Sequence, residues 1–184
     1  MSTYDKNKSG FFKKMVDIGA NYNSSITEIR YLRVTNIASI LGVIYNVIWI
    51  LIALFLTDAL VIYVSNALLG LMFLMPLIFN RKGWRVLASI WLILTSYMSI
   101  LLFLYLLGYS SGVAVICFLI IILPYMTFPR KARDIAHVFS ILACLTLIIT
   151  VIFQSNISAH FGGLDSYISQ IVNISITGFI CFIL

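Results

Sequence analysis

Charged side chains are scarce in this 184-residue chain: they make up 10% of the sequence, whereas 62% of the residues are hydrophobic. The mean hydropathy is +1.08. A soluble domain has about a quarter of its residues charged, so this composition excludes an ordinary soluble protein. A chain of this length has room for a handful of membrane spans of about 20 residues each. The composition predicts an all-α, polytopic membrane protein.

Residues that commonly perform chemistry are also few. The three cysteines, Cys117, Cys144 and Cys181, lie in apolar runs without a CxxC spacing, which predicts small buried hydrophobic side chains. His137 and His160 are predicted at opposite faces of the membrane, so they cannot share a haem or a metal ion. The sequence contains no HExxH, P-loop or nucleotide-binding glycine motif. We therefore expect no catalytic residue, no metal and no cofactor in this chain.

Carboxylate and cationic side chains are missing from the middle of every apolar run. The six acidic residues lie at the ends of the runs or between them. Ion pumps and proton-coupled transporters usually keep carboxylates or cations inside the membrane, so their absence argues against such a machine. No lysine lies in mid-span, which excludes a retinal Schiff base. The first residues are polar and show no cleavable signal peptide, so the first span is expected to direct insertion.

Six apolar runs define the predicted spans, at about 34–56, 59–79, 86–107, 112–128, 135–154 and 166–184. Short connections join them, which favours antiparallel helical hairpins, because each helix must satisfy its own backbone in lipid. We predict a six-helix transmembrane domain over 25–184. The residues before it, 1–24, form a cytoplasmic N-terminal segment.

All twelve lysines and arginines fall on one side of this topology. Six precede or begin the first span, and the three opposite connections carry none. The other six lie in the second and fourth connections, as Arg81, Lys82, Arg85, Arg130, Lys131 and Arg133. The positive-inside rule predicts that these connections and both termini are cytoplasmic. The cations then meet anionic lipid headgroups, and the pI of about 9.3 needs no nucleic-acid partner.

The N-terminal stretch "GFFKKMVDIG" carries an apolar helical pattern. Two lysines separate its apolar residues, which are Phe11, Phe12, Met15 and Val16. This spacing favours a short helix on the membrane surface, with a disordered basic tail as the alternative. Downstream, Ser25 and Glu28 form a capping-box pattern, which predicts that the first membrane helix begins there.

Polar residues inside the spans are almost all neutral. They are Asn36, Asn46, Asn66, Thr95, Ser96, Ser99, Thr146, Thr150, Asn173, Ser175 and Thr177. Hydrogen bonds between helices are one interpretation, at about 0.6 kcal/mol each. A ligand pocket in the bundle is the other, lined by Tyr45, Asn46, Tyr97 and Tyr125.

Two further patterns concern the shape of the helices. Ala38-x-x-x-Gly42 is typical of close helix packing. Pro124 removes a backbone donor and is predicted to kink the fourth span as a hinge.

Several of these stretches resemble bacterial six-helix sensor modules, over about residues 30–154. "RYLRVTNIASILGVIYNVIWILIALF" is similar to their first span, with Asn36 near the helix start and Tyr45 midway. "FNRKGWRVLASIWLILTSYMSILLFLYLLGYSSG" continues the resemblance, with an Asn-Arg-x-Gly turn at 80–83 and a Gly-x-x-Ser-Gly hairpin at 108–112. "IILPYMTFPRKARDI" resembles the fourth span and its exit.

Modules of this kind precede class III adenylate and guanylate cyclases. Similar modules precede sensor histidine kinases, including quorum-sensing kinases for lipophilic autoinducers. The resemblance implies an input domain of a bacterial inner-membrane enzyme that receives a lipophilic or membrane-borne signal. An adenylate cyclase that makes cAMP from ATP is the first expectation, and a histidine kinase is the alternative. It also implies a homodimer and a sixth helix that continues past Leu184 into the catalytic domain. No catalytic residue can be carried over.

Two interpretations that assign the chain to other functional classes remain open. The substrate-binding subunits of vitamin transporters also have six spans and cytoplasmic ends. They bind the vitamin near the outer face, where the connection at 155–166 could contribute. A free-standing accessory membrane protein is the third reading.

Overall fold

The computed structural model describes residues 10–20, 25–56, 60–107 and 113–152 of the chain. Within these ranges all regular secondary structure is helical. The helices are α1 (Phe11–Val16), α2 (Ile26–Leu56), α3 (Leu60–Arg81), α4 (Arg85–Leu107), α5 (Val113–Thr127) and α6 (Arg133–Ile152). A 3-10 turn, Arg130–Ala132, leads into α6. The sixth predicted span, 166–184, lies outside the described residues, as do His160 and Cys181.

Four of the described helices are long and apolar enough to cross a membrane: Ile26–Phe55, Leu60–Arg81, Arg85–Leu106 and Arg130–Ile152. The all-α class is thus confirmed, and four spans agree with their predicted positions within a few residues, apart from the earlier start of α2. Helix α5 has 15 residues, or about 22 Å at 1.5 Å per residue. A hydrocarbon core is about 30 Å thick, so α5 alone is shorter than a span. The count of six spans stays a prediction.

Helix α2 is longer than a membrane requires. Its 31 residues extend about 46 Å, so about ten residues lie beyond the hydrocarbon core. The capping box is confirmed at its start: the Glu28 amide donates to Ser25 Oγ at 3.2 Å, and the Ser25 amide donates to Glu28 Oε2 at 3.4 Å. The extra length at the start of α2 carries its two cations, Arg30 and Arg33.

The bundle is built around contacts of α2 with α3 and of α4 with its neighbours. Helix α5 packs on α4 and α2, and α6 packs on α5. The predicted close packing of Ala38-x-x-x-Gly42 is confirmed, because a Cβ at Gly42 would collide with the ring of Phe73. Ala38 and Phe73 belong to the same buried cluster.

Two helices run through a proline. Pro76 in α3 has no amide hydrogen, so the carbonyl of Met72, four residues earlier, loses its helical donor. The indole of Trp91 on α4 replaces that donor, with Nε1 3.1 Å from the Met72 oxygen. In α5, which stays helical through Pro124, the hinge role remains a prediction.

One prediction about the cysteines is wrong. Cys144 is exposed on α6, rather than buried in the core of the described bundle. Its neighbours on the buried side of α6 are smaller residues, Ala143 and Ser140. The apolar run showed that Cys144 lies in a span, but in lipid an apolar residue can face outward as readily as inward.

Candidate functional site: a polar network and cavity at the basic end

The described cations gather at one end of the bundle, which we call the basic end. It comprises the starts of α2, α4 and α6 and the ends of α3 and α5. Arg85 Nη1 lies 3.0 Å from Glu28 Oε2, which joins α4 to α2. Ser89 Oγ on α4 donates to the Thr127 carbonyl at the end of α5 at 2.9 Å. These contacts bring the connections at 80–85 and 129–134 to the same end as the start of α2.

An asparagine pair lies at the centre of the basic end. Asn36 on α2 is fully buried, and its Nδ2 donates to the carbonyls of Val16 at 2.8 Å and Ile18 at 3.0 Å. Its Oδ1 accepts a hydrogen bond from Asn80 Nδ2 at 2.7 Å. Asn80, at the end of α3, is 1% exposed. Both groups of the Asn36 amide are therefore satisfied by other elements of the fold.

This pair holds α1 against the bundle. Val16 is buried in a cluster with Ile40 of α2 and Leu77 of α3. Gly19, just after α1, has a positive φ of 82°, and a Cβ there would collide with the backbone of Asn80. Only glycine both adopts this conformation readily and permits this approach.

A charged contact and an exposed aromatic face complete the α1 region. Arg33 Nε lies 2.6 Å from Asp17 Oδ1. Phe11 is 80% exposed and Phe12 is 57% exposed. The predicted short helix is present as α1. Its position on a membrane surface stays a prediction.

A cavity of about 290 Å³ opens beside this network. Its lining comes from the helix ends and the 3-10 turn, as Glu28, Tyr31, Leu32, Thr35, Asn80, Arg85, Val86, Ser89, Thr127, Pro129, Lys131 and Ala132. Glu28 and Lys131 are exposed and mark its mouth, whereas Asn80, Ser89 and Thr127 are buried and mark its floor. The cavity thus leads from the surface of the basic end to the buried asparagine network.

The lining of the cavity carries an excess of positive charge. Arg85 and Lys131 oppose the single carboxylate of Glu28. The Arg85–Glu28 pair is partly exposed, with 26% and 48% of the two side chains accessible. Such a pair is weak, at about 0–1 kcal/mol, so it adds little to the stability of the basic end.

The six cations predicted to set topology differ in their surroundings. Arg85 and Lys131 line the cavity. Lys82 lies over the ring of Trp84, 5.2 Å from the centroid. Arg81, Arg130 and Arg133 are exposed and do not line the cavity.

The structure does not bring the four residues of the predicted ligand pocket into one described cavity. Tyr45 packs on the ring of Phe103, with centroids 5.7 Å apart. Asn46 Nδ2 donates to the Gly42 carbonyl of its own helix at 2.7 Å. Tyr97 lines a gap of about 10 Å³ between α4, α5 and α6. Tyr125 is exposed.

The hydroxyl of Tyr125 lies 2.8 Å from His137 Nδ1 on α6. Neither of the two cavities described above is lined by Tyr45, Asn46 or Tyr125. The ligand-binding role of the four residues stays a prediction.

Polar groups in the bundle interior behave differently from those of the basic end. Asn66 Nδ2, like that of Asn46, donates to a carbonyl of its own helix. Among the buried polar atoms there that have no hydrogen-bond partner in the described part of the chain are Asn46 Oδ1, Asn66 Oδ1, Thr95 Oγ1 and Ser99 Oγ. Among the described residues the expected bonding between elements is present at Asn36, and for Asn46, Asn66, Thr95 and Ser99 it stays a prediction.

Sequence reasoning missed the cavity, although it contained one signal for it. The resemblance singled out Asn36 and the Asn-Arg-x-Gly turn that begins at Asn80, and the structure joins these two asparagines. The remaining lining residues, such as Ser89 and Thr127, are small polar residues at helix ends, with no spacing that separates them from ordinary turn residues.

Within the described ranges no group of three His, Cys, Asp or Glu side chains could hold a metal ion. Comparison with known proteins yields no matching family model, no matching curated protein and no matching solved structure.

Proposed function

We propose that this chain is a membrane input module that receives a lipophilic or membrane-borne signal and passes it to a cytoplasmic enzyme. The cavity at the basic end is the observation that carries the proposal. It is lined by residues of α2, α3, α4, α5 and the 3-10 turn before α6. An occupant therefore contacts most of the described helices at once and can alter their relative positions.

The asparagine pair gives the cavity a route to the N-terminal helix. Asn80 lines the cavity and also donates to Asn36, which in turn binds the carbonyls that end α1. An occupant that displaces Asn80 therefore weakens the docking of α1. A signal can act through an element that has two discrete positions, and in this proposal α1 is that element, docked in one state and released in the other.

The proposal includes an orientation. With its cations on the cytoplasmic side of a bacterial inner membrane, as the positive-inside rule favours, the basic end faces the enzyme that the module regulates. The cavity mouth then lies at the level of anionic headgroups. A signal that arrives within the bilayer reaches it without a soluble receptor domain.

The resemblance to sensor modules supports a nucleotide cyclase as the output. In this proposal two copies associate, and a small shift of the sixth helix biases the catalytic domains that make cAMP from ATP. In the alternative, the same input module regulates a histidine kinase. Both rest on the resemblance, and the residues of the sixth span lie outside the described ranges.

The test uses the complete reading frame that contains this chain, expressed in a bacterial host without its own adenylate cyclase. We expect cAMP to accumulate, and Asn80→Ala to change its level without changing the amount of protein in the membrane. The absence of both activities, cAMP formation and autophosphorylation from ATP, would overturn the proposal. Tight, stoichiometric binding of a vitamin in place of both would favour the transporter-subunit reading.

A further inference from the structure

We propose that α4 has a second packing arrangement, in which the hydroxyls of Thr95 and Ser99 donate hydrogen bonds to the side-chain oxygens of Asn46 and Asn66. We call these four residues the interior polar layer. In the described arrangement its members lie at matching depths but do not bond one another. The inference does not depend on the proposed function, because two arrangements of the bundle can be measured whether or not an enzyme follows.

The hydroxyls of Thr95 and Ser99 differ from other hydroxyls of the bundle. A serine or threonine inside a helix can donate to the carbonyl four residues earlier. That bond is present for Ser96 of the same helix, at 2.8 Å, and for Thr127 and Thr150, at 3.0 and 2.7 Å. Thr95 Oγ1 and Ser99 Oγ are buried and bond neither that carbonyl nor any other described group. Because such a carbonyl is available in every turn of a helix, the packing holds both hydroxyls away from their own backbone.

The two asparagines of the layer supply the missing acceptors. Each uses its Nδ2 group on its own helix, at 2.7 Å from the Gly42 carbonyl for Asn46 and at 2.8 Å from the Ile62 carbonyl for Asn66. The side-chain oxygen of each has no partner among the described residues. An amide oxygen only accepts, whereas a hydroxyl can donate. The layer therefore holds two acceptors without a donor and two donors without an acceptor.

The helix register places donors and acceptors at the same depths. Asn46 lies against α3 at Gly70, where a Cβ on the glycine would be 3.7 Å from the Asn46 Cβ. Gly70 is about 16 Å from the end of α3, and Thr95 is about 15 Å from the start of the antiparallel α4. Asn66 and Ser99 each lie one turn farther on, at about 22 and 21 Å. Since α2, α3 and α4 contact one another, Thr95 is level with Asn46, and Ser99 is level with Asn66.

Water cannot satisfy the layer in the described arrangement. Its four unpaired atoms have no surface that water can reach, and none of the four residues lines either of the two cavities described above. A direct bond between helices needs no added space. Shifts of about 1–2 Å between packed helices are an established form of switching. A movement of this size is suited to the layer, because each hydroxyl is already level with one asparagine.

The described arrangement is held by a bond that the second one gives up. Trp91 of α4 donates to the Met72 carbonyl of α3 at 3.1 Å, which fixes α4 along α3. A shift of α4 breaks this bond, and the bonds of Thr95 and Ser99 replace it. Ser89 of α4 lines the cavity at the basic end, so the shift also reshapes that cavity. An occupant that fits one shape better than the other then selects one arrangement.

The experiment labels the three tryptophans of the full chain with 5-fluorotryptophan and records fluorine NMR spectra in phosphatidylcholine nanodiscs. Trp91 reports on the bond to Met72, and Trp49 is fully buried within a turn of Asn46. Trp84, which is exposed, is the control. We expect two signals with one common population ratio for Trp49 and Trp91, and a single signal for Trp84. Substitution of each tryptophan by phenylalanine assigns the signals.

Thr95→Val and Asn46→Leu each remove one partner of the same proposed bond. We expect each to lower the ratio of the second to the described arrangement about fivefold, because one buried hydrogen bond is lost. The double variant should lower it no further, as expected for two residues that share one bond. Ser99→Ala and Asn66→Leu form a second such pair. Ser96→Ala, a neighbouring hydroxyl that bonds its own helix, is the matched control and should leave the ratio unchanged.

Trp91→Phe keeps the test valid if those substitutions damage the fold. It removes the bond that holds the described arrangement, so we expect the ratio read from Trp49 to rise several-fold. A damaged fold does not produce a discrete second signal that Thr95→Val then suppresses. Single signals for Trp49 in all variants, or a ratio that Thr95→Val and Asn46→Leu leave unchanged, would overturn the proposal. Two arrangements without cyclase or kinase output would uphold the shift of α4 and remove the input function alone.

Discussion

The basic end and the bundle interior use the same residue types in opposite ways. At the basic end Asn36 and Asn80 bond to each other and to α1. In the interior, Asn46 and Asn66 each donate to the carbonyl four residues earlier in their own helix. Their Oδ1 atoms have no partner among the described residues. Asparagine thus joins separate elements at one end, whereas in the middle the two asparagines donate within their own helices.

The difference has a physical cause. A side chain inside the hydrocarbon has no water to bond, so it bonds its own helix before any partner helix arrives, and association then adds little. At a helix end the backbone groups of neighbouring elements are unsatisfied. An asparagine can therefore gain partners there that its own helix does not offer. We therefore expect substitutions of bonded polar residues at the basic end to lower the free energy of unfolding more than substitutions of the interior asparagines.

The largest effect is expected for Asn36→Leu. It removes the hydrogen bonds of the Val16 and Ile18 carbonyls and of the Asn80 side-chain amide. Each buried polar group left without a partner costs about 1–3 kcal/mol of stability. Release of α1 restores water to the two carbonyls, so we expect a loss of about 2–3 kcal/mol in the free energy of unfolding. Fast hydrogen exchange in α1 should accompany it. Unfolding in mixed micelles of detergent and SDS measures the first quantity.

The matched control for Asn36→Leu is Asn46→Leu, on the same helix. It removes a bond within α2 and an unpaired oxygen, so we expect a change within about 0.5 kcal/mol. A loss at Asn46 as large as that at Asn36 would contradict the distinction between the two regions.

A somewhat smaller effect, about 2 kcal/mol on the docking of α1, is expected for Gly19→Ala. The new methyl group meets the backbone of Asn80 and also adds strain at a positive φ. Gly83 has the same φ of 82°, but a methyl group there would meet nothing within 4 Å, so Gly83→Ala isolates the strain, at about 1 kcal/mol. Protease cleavage after Lys13 and Lys14 reports on docking. Equal cleavage rates in the two variants would show that α1 does not lie against Asn80.

The sequence predicted the helices well because their signals are local. Apolar runs located α3, α4 and α6 within a few residues, and the Ser25–Glu28 capping box located the start of α2. The spacing of Phe11 to Val16 likewise indicated α1. Each of these depends only on residues within a turn or two of one another.

The site could not be predicted in the same way. Its key contact joins residues 44 positions apart, Asn36 and Asn80, and the cavity depends on how three connections meet. The aromatic and polar pattern that suggested Tyr45, Asn46, Tyr97 and Tyr125 carries no information on which side of a helix faces a partner. In a span almost every face is apolar, so the usual amphipathic signal is weak.

Trp91→Phe tests an interior contact that follows the rule of the basic end. The indole donates to the Met72 carbonyl that Pro76 leaves free, so its loss exposes an unsatisfied backbone group, as at a helix end. We expect a loss of about 1 kcal/mol in the free energy of unfolding. Trp84→Phe, an exposed indole at the basic end, should change it by much less. If Trp91→Phe is also neutral, water or a neighbouring group satisfies Met72.

The smallest effect is expected where the interior carries a polar atom without a partner. Thr95→Val keeps the shape of the side chain and removes Oγ1, which is fully buried and bonds nothing in the described part of the chain. Because the hydroxyl contributes only its desolvation cost, we expect the free energy of unfolding to stay unchanged or to rise, by up to about 1 kcal/mol. Ser89→Ala, which breaks a bond from α4 to α5, should lower it by about 0.6–1.7 kcal/mol. A loss in Thr95→Val comparable to that in Ser89→Ala would mean that Thr95 has a partner, such as water or a ligand, and that the interior is itself a polar site.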